Sequence, residues 1–326
     1  MAVVLLLPGQ GSQHPGMCAG LYGTDPVFTA VLDEYFGLLG AVGSRLRDTW
    51  LTGRGPVPLD DASVAQPLLF GLDYAIGRAL WEHGVRPVAY LGHSVGELAA
   101  AALAGVFDPP AAARFMLARC AALEALPPGG MLAVGVAPEA LADFVDPWHR
   151  PDGVVVGACN APRQTVLCGP QARLAEVAGR LREAGIGARA VPALQPFHSP
   201  AAVAPAEALA RAVTGEALRP AERRVQSTVT ARALTAAEAV DPGFWARNVA
   251  RTVQFWPALD ALLGDESFAD ESLACGPALS LVEAGPGQGL SMLARRHPQV
   301  RRGRASVVPG GADLAGLAYR LLAGTP

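Results

Sequence analysis

The chain has 326 residues, 51% hydrophobic and 17% charged, which supplies apolar material for a large core and argues against a disordered chain. A formal net charge of −3 gives no broad positive field for nucleic acid, and no apolar run approaches the roughly 20 residues that cross a bilayer. Five cysteines, Cys18, Cys120, Cys159, Cys168 and Cys275, stand in no metal-ligand spacing, so reduced thiols in a cytoplasmic protein are expected and no metal site. All 26 basic residues are arginine, so any anion site is built from guanidinium groups.

Ala2 to Leu7 lacks the basic lead of a signal peptide and runs straight into Pro8-Gly9-Gln10-Gly11-Ser12-Gln13, which reads as a buried first strand ending in a Gly-rich turn. Open α/β sheets place their sites at such carboxyl ends. The turn is no nucleotide loop: the chain has no lysine for a P-loop, and the dinucleotide spacing fails at its third glycine. Residues 26–51 have a helical pattern, residues 60–67 read as a loop, and Leu68 to His83 is a helix apolar on more than one face. Val88 to Leu91 is a short apolar run, and Leu98 to Ala104 an Ala-rich helix stopped by Gly105. Pro109-Pro110 open a helix carrying Arg114 and Arg119, which Pro127-Pro128-Gly129-Gly130 end.

Residues 131–194 then change texture. Strand (131–136), helix (138–145), two strands (154–159 and 164–168) around Asn160-Ala161-Pro162-Arg163, helix (172–184) and strand (188–193) follow the βαββαβ order of a ferredoxin-like unit. The fold expected is α/β: a large parallel-sheet body like that of the α/β hydrolases, residues 1–130 and 195–326, with a small ferredoxin-like subdomain, 131–194, inserted across a cleft. The body resumes with a helix (201–213), a strand (225–229), a helix (243–263), a strand running into Val282-Glu283-Ala284-Gly285-Pro286-Gly287, and two helices around Val307-Val308. Without repeats or low-complexity linkers, the chain has the look of a complete enzyme-sized unit.

The chemistry centres on Gly92-His93-Ser94-Val95-Gly96, the spacing of a nucleophile elbow, between an apolar strand and an Ala-rich helix. Flanking glycines remove the Cβ atoms that would clash around the turn, and the helix N-terminus aims N–H groups at an oxyanion. A serine hydroxyl needs a positioned base. Among six histidines, His93 adjoins the serine and braces the turn, His14 rims the first turn, and His83, His149 and His297 have nothing reactive nearby. His198, between Pro196 and Pro200 on the return from the small subdomain, is the one placed to project into the cleft.

These segments, with Asn160 and Gln164, Phe197-His198-Ser199, Trp245 to Arg251 and Glu283 to Gly287, resemble in order the motifs of malonyl-CoA:acyl-carrier-protein transacylases. Ser227-Thr228-Val229-Thr230 and the Trp245 to Arg251 stretch are more similar to the acyltransferases of polyketide synthases, here in a discrete form. The resemblance implies Ser94 as the acylated nucleophile, His198 as its base, and the N–H groups of Gln10 and Val95 as the oxyanion hole. It implies that the main-chain carbonyl of Asn248 orients His198, making a dyad without a carboxylate. Arg119 would hold the free carboxylate of a malonyl-type group, with Gln66, Phe197, His93 and Asn160 around the substrate. A planar guanidinium suits that task because it pairs both carboxylate oxygens. Phe197 resembles malonyl-type enzymes, where methylmalonyl-type ones carry serine.

The activity so implied is transfer of an acyl group from a coenzyme A thioester, through acyl-serine, to the 4'-phosphopantetheine thiol of an acyl carrier protein. Polyketide or fatty-acid biosynthesis is its setting. No tightly bound cofactor, membrane or nucleic acid is expected, and the protein should act as a monomer. Cys120, Leu123-Glu124 and Leu194-Gln195-Pro196 depart from the family pattern at positions expected to flank the acyl pocket, leaving the acyl group open. The alternatives are transfer of an unusual acyl chain between carrier proteins, an editing acyl hydrolase on this fold, an α/β-hydrolase esterase using a histidine near the C-terminus, and an inactive docking module.

Overall fold

The computed structural model describes residues 2–268, 279–311 and 313–324; Cys275 lies outside them. The strand β1 (Ala2–Leu7) starts the chain and α1 (Pro26–Leu38), α2 (Ala41–Thr52) and α3 (Ala62–Glu82) follow. Then come β2 (Pro87–Gly92), α4 (Val95–Leu103) and α5 (Pro109–Leu123). The second lobe holds β3 (Gly129–Val134), β4 (Val155–Ala161), β5 (Gln164–Pro170), α6 (Gln171–Glu183) and β6 (Ala188–Val191). The chain returns through α7 (Val203–Ala212), β7 (Arg224–Gln226), α8 (Ala236–Ala239), α9 (Pro242–Arg247) and α10 (Phe255–Leu263). It closes with β8 (Leu279–Glu283), α11 (Gly289–Ala294), α12 (Pro298–Arg301), β9 (Ala305–Val308) and α13 (Leu314–Ala323).

Five parallel strands in the order β7-β2-β1-β8-β9 form the body sheet. Strands covered on both faces read as unbroken apolar runs. Accordingly Val4 to Leu7 are fully buried, with Leu6 paired to Leu91 on one side and Glu283 on the other. One hydrophobic cluster lies on each face of this sheet and a third fills the small lobe.

The small sheet has the order β4-β5-β3-β6, which is the strand order of a ferredoxin-like unit. Its first crossover differs from expectation: Pro138–Phe144 is a 3-10 helix, with Leu141 its one buried anchor. We propose 131–194 as the extent of the small lobe, with β3 opening slightly earlier, at Gly129.

Several helix limits shift for local reasons. The helix expected from Leu68 starts at Ala62, where Asp61 accepts from the Ser63 N–H, and Pro67 sits inside its second turn. Residues 26–51 split at Gly40, whose φ of +61° no helix accommodates. The strand expected to reach Val229 stops at Gln226, because the Ser227 hydroxyl takes the Val229 N–H into a local turn. The long helix expected over 243–263 is broken. After α9 and a 3-10 turn (Asn248–Ala250), residues 251–254 leave helical geometry to pair with the small lobe. The last segment holds three helices rather than two, with β9 between α12 and α13.

No described helix is long and apolar enough to cross a membrane, and among the described residues no cluster of His, Cys, Asp and Glu could hold a metal ion. A close approach holds the start of α4 against β1, where a Cβ on Gly96 would come within 2.1 Å of the Leu7 carbonyl oxygen. Gly96→Ala is therefore expected to destabilise the fold by about 1–3 kcal/mol, as overpacking typically does. Urea denaturation at constant m-value measures it.

Candidate active site

The strands β1, β2 and β8 end together, and the turns that leave them build the site. Ser94 is separated from the end of β2 by His93 and immediately precedes the first residue of α4, with φ +57° and ψ −117°. His198 also has positive φ, +54°, one of four such non-glycine residues among those described. Backbone held in that region costs about 1–3 kcal/mol per residue and persists where the surroundings impose it. The two side chains meet: Ser94 Oγ is 2.7 Å from His198 Nε2, and both residues are buried.

The other imidazole nitrogen fixes the tautomer. His198 Nδ1 lies 2.7 Å from the Arg251 carbonyl oxygen, which can only accept, so Nδ1 carries the proton and Nε2 is free to accept from the serine. This corrects the expectation for Asn248, whose carbonyl is a lesser partner of the ring than that of Arg251. The Asn248 side chain is instead directed at Glu97, with Nδ2 at 3.4 Å from Oε2. In an unbroken helix the Arg251 carbonyl would accept from the N–H four residues on. The break frees it. Val253 exchanges hydrogen bonds of 2.8 Å with Gly157 and Cys159 of β4, and the Gln254 N–H turns to Thr228. The His198 N–H adds a bond of 2.7 Å to the Val249 carbonyl, so the imidazole-bearing residue is held to this segment twice.

Burial holds the His198 imidazole far below its usual range, at about 3, with the nearby His93 and Arg119 adding to the effect against the two carbonyls. It is therefore neutral at neutral pH, the state a general base needs. Glu97, wholly buried behind the elbow, accepts from the Thr228 hydroxyl at 2.5 Å, and burial raises its carboxyl to about 7. Among the described residues no carboxylate meets Nδ1. Thr228 and Arg251 lie in segments the resemblance covers, but their site-forming contacts, and that of Glu97, were not readable there because each is made across the chain.

The Pro8-to-Gln13 turn is fastened against the elbow. A Cβ on Gly9 would strike the His93 carbonyl at 2.3 Å, so only glycine lets the two turns touch. Gln10 lies in this turn and Val95 is the first residue of α4, whose N–H has no partner within the helix. His93 Nε2 meets Asn160 Oδ1 at 2.8 Å, which ties the β4–β5 hairpin to the residue beside Ser94.

A second line of side chains runs inward from Gln10. Its Oε1 accepts from Gln66 Nε2 at 3.1 Å, and Gln66 Oε1 accepts from Arg119 Nε at 2.7 Å. Arg119 is completely buried, yet Nη1 and Nη2 have no hydrogen-bond partner among the described residues. Burial lowers its pKa to about 10, which leaves it charged at neutral pH. Phe197 is buried next to His198. Arg114, in contrast, is exposed and paired with Glu216.

Of the residues expected to flank an acyl pocket, Leu194 and Glu124 are exposed. Gln195 is turned to the start of α3, where it donates to Asp61 at 2.7 Å and accepts from the Ala62 N–H at 3.3 Å. Gln13 makes a parallel tie, donating to Asp60 and to the Pro192 carbonyl. His297, the late histidine an esterase would need, is committed to Asp260 and to the Gln299 N–H. A cavity of about 500 Å³ is lined by Trp148, Val203, Ala250, Arg251 and Thr252, and none of Ser94, His198 and Arg119 is among its lining residues.

Known proteins share this architecture. The profile of the acyl transferase domain family matches residues 4–274. A phenolphthiocerol/phthiocerol polyketide synthase of Mycobacterium tuberculosis is 34% identical over 298 residues, which are 91% of this chain but 19% of that protein, so the chain spans only a small part of its length. Among solved structures, the acyltransferase domain of the second module of the salinomycin polyketide synthase is 33% identical with a TM-score of 0.78, covering 94% of this chain and 68% of that one. The loading acyltransferase of the avermectin modular polyketide synthase is 28% identical with a TM-score of 0.83, covering 99% of this chain and 100% of that one. With its family profile, its parallel sheet and its separate antiparallel sheet all matched over most of its length, the chain belongs to the acyl transferase domain family.

Proposed function

We propose that this chain is a malonyl-type acyltransferase that works through a Ser94–His198 dyad and delivers its acyl group to the phosphopantetheine thiol of an acyl carrier protein. The observation that carries the acyl class is Arg119. A buried guanidinium with two unpartnered nitrogens is costly unless an anion completes it, and Nη1 and Nη2 form the fork that a carboxylate matches. The Gln66 contact fixes the remaining Nε and so aims the fork.

In the first half-reaction Ser94 Oγ attacks the thioester carbonyl while its proton passes to His198 Nε2. The tetrahedral oxyanion is stabilised by the N–H groups of Gln10 and Val95, and collapse expels the thiolate, which takes the proton back from Nε2. The carrier thiol then attacks the acyl-serine by the same steps in reverse. The Arg251 carbonyl keeps Nδ1 protonated throughout and stabilises the transient imidazolium. The Asn248 side chain positions Glu97, while its carbonyl is only a lesser partner of the ring. Phe197 narrows the space beside the base, where a single branching methyl is worth about 1–3 kcal/mol of discrimination. His93 and Asn160 hold the hairpin over the elbow. The chemistry calls for no tightly bound cofactor, since the acyl group arrives already activated as a thioester.

Intact-mass measurement after incubation with malonyl-CoA, methylmalonyl-CoA, acetyl-CoA and longer acyl thioesters tests the reading. A malonyl adduct on the unmutated chain and none on Ser94→Ala is expected; an adduct persisting on that variant, or free acid released faster than transfer to a carrier, overturns it. Arg119→Ala should lower malonyl loading about a hundredfold or more relative to acetyl loading, because charged hydrogen bonds are worth about 1.5–3 kcal/mol each. Stopped-flow loading rates give the ratio. Because His198 stays deprotonated well below the ordinary histidine value, loading should keep its rate as pH falls through 6.5, with no acid limb near that value. A pH profile of kcat/KM with its acid limb near 6.5 would contradict that environment.

A further inference from the structure

A second cavity, of about 260 Å³, lies where α3 and α4 end, beside the loop into α5 and the segment that precedes β7. None of Ser94, His198 and Arg119 is among its lining residues. The helix α4 begins at the elbow and its last residues line this cavity, nine residues or roughly 13 Å away along the helix. Backbone bonds fix the walls. The Arg219 N–H donates to the Val106 carbonyl at 3.1 Å and the Glu222 N–H to that of Ala104 at 2.7 Å, clamping the segment before β7 onto the loop after α4.

Tyr90, from the middle of β2, sets the chemistry. It lines the cavity, is 2% exposed, and has no hydrogen-bond partner among the described residues. A buried phenol ordinarily finds one, so this O–H is left for whatever enters. Burial pushes its pKa up to about 12 against the pull of Arg223 and Arg78, which keeps it a donor at neutral pH.

Three guanidinium groups converge on the same space: Arg78 from α3, and Arg219 and Arg223 from the segment before β7. Arg78 donates to the Tyr74 hydroxyl at 3.3 Å and stands 3.6 Å from Glu82, and Arg219 stands 3.8 Å from Asp108. Both ion pairs are longer than a hydrogen bond and leave N–H groups open. The Arg223 guanidinium carbon is 5.9 Å from the Trp81 ring centroid, and the group has no hydrogen bond among the described residues. Asp108 and Glu222 line the cavity as well, Asp108 being engaged in part by the Ala111 N–H at 2.8 Å. Glu82 lies outside the lining and half in water, which screens it. Three guanidinium groups against two lining carboxylates leave one positive charge, the complement of a monoanion; a phosphate dianion would meet both carboxylates as like charges. Trp81, Phe107 and Leu103 add apolar wall, and the volume is below the roughly 300–1,000 Å³ that holds drug-sized ligands.

We propose that this cavity binds a small organic monocarboxylate with an aromatic or branched apolar body, the carboxylate received by the Tyr90 hydroxyl and the Arg223 guanidinium and the body laid against Trp81. The site goes beyond the acyl-transfer reading and shares none of its residues.

Calorimetric titration of the full chain with 3-phenylpropanoate tests it. Saturable binding of one equivalent is expected both on the unmutated chain at this cavity and on Arg119→Ala, which lacks the other buried guanidinium open to a carboxylate. On either background Arg223→Ala and Tyr90→Phe should each weaken binding about tenfold or more, as loss of a charged hydrogen bond does. Phenylpropanol, which keeps the body without the charge, and phenyl phosphate should both bind at least tenfold more weakly than 3-phenylpropanoate. Urea midpoints check that the variants stay folded; if Tyr90→Phe does not fold, the exposed Arg223 decides alone. Absence of saturable binding on a folded Arg119→Ala protein, or binding undiminished by Arg223→Ala, overturns the proposal. Equal affinity for phenylpropanol, which would make this a merely apolar cavity, overturns it too, as does tighter binding of phenyl phosphate.

Discussion

The hydrogen bond between Ser94 and His198 joins residues far apart in the chain, and its use as a catalytic contact depends on what lies behind the imidazole. A ring free to rotate, or protonated on the wrong nitrogen, could not accept from the serine. The Arg251 carbonyl settles both matters with a single bond. That carbonyl is available because residues 251–254 give up helical bonding and join β4 as a short parallel bridge. The small lobe thus does more than roof a cleft: by drawing Val253 onto its edge strand it exposes the acceptor that orients the imidazole. The lobe boundary and the Ser94–His198 pair are one structural unit.

The second constraint is electrostatic. A completely buried arginine with two unpartnered nitrogens and a completely buried Glu97 are both expensive in a protein interior. They are resolved differently. Glu97 finds Thr228 and Asn248 and shifts its carboxyl toward neutrality. Arg119 stays charged and is only partly satisfied through Gln66, which leaves its fork available to an anion from outside. The Gln10–Gln66–Arg119 line also connects the proposed carboxylate site to the residue whose N–H is proposed for the oxyanion, so the two ends of a malonyl group would be read by one continuous network.

Rigidity is distributed around this centre by small polar ties. Gln13 and Gln195 fasten the return from the small lobe to the loop before α3, and Gln195 does so at a position where the family pattern differs. On the opposite side Arg296 and Gln164 bridge the same two lobes.

Much of this was legible in the residues alone. Apolar runs ending in Gly-rich turns marked the parallel strands, the Gly-x-Ser-x-Gly spacing between strand and helix marked the elbow, and a change in element length after Gly130 marked the ferredoxin-like lobe. These are local signals, set by side-chain period and by the steric freedom of glycine. Arg119 and Gln66 could be named by resemblance, but that they touch, and that two guanidinium nitrogens are left without partners, follows from burial. The resemblance named the Asn248 carbonyl as the orienting group, whereas the shorter contact is made by Arg251, whose carbonyl a continuous helix over 243–263 would have kept in its own ladder. Local propensity has no means of registering a competing bond offered by β4, nearly a hundred residues away. The sequence by itself determined which groups could react; the tertiary structure decided which backbone acceptor holds the imidazole, because that choice depends on two lobes competing for the same hydrogen bonds.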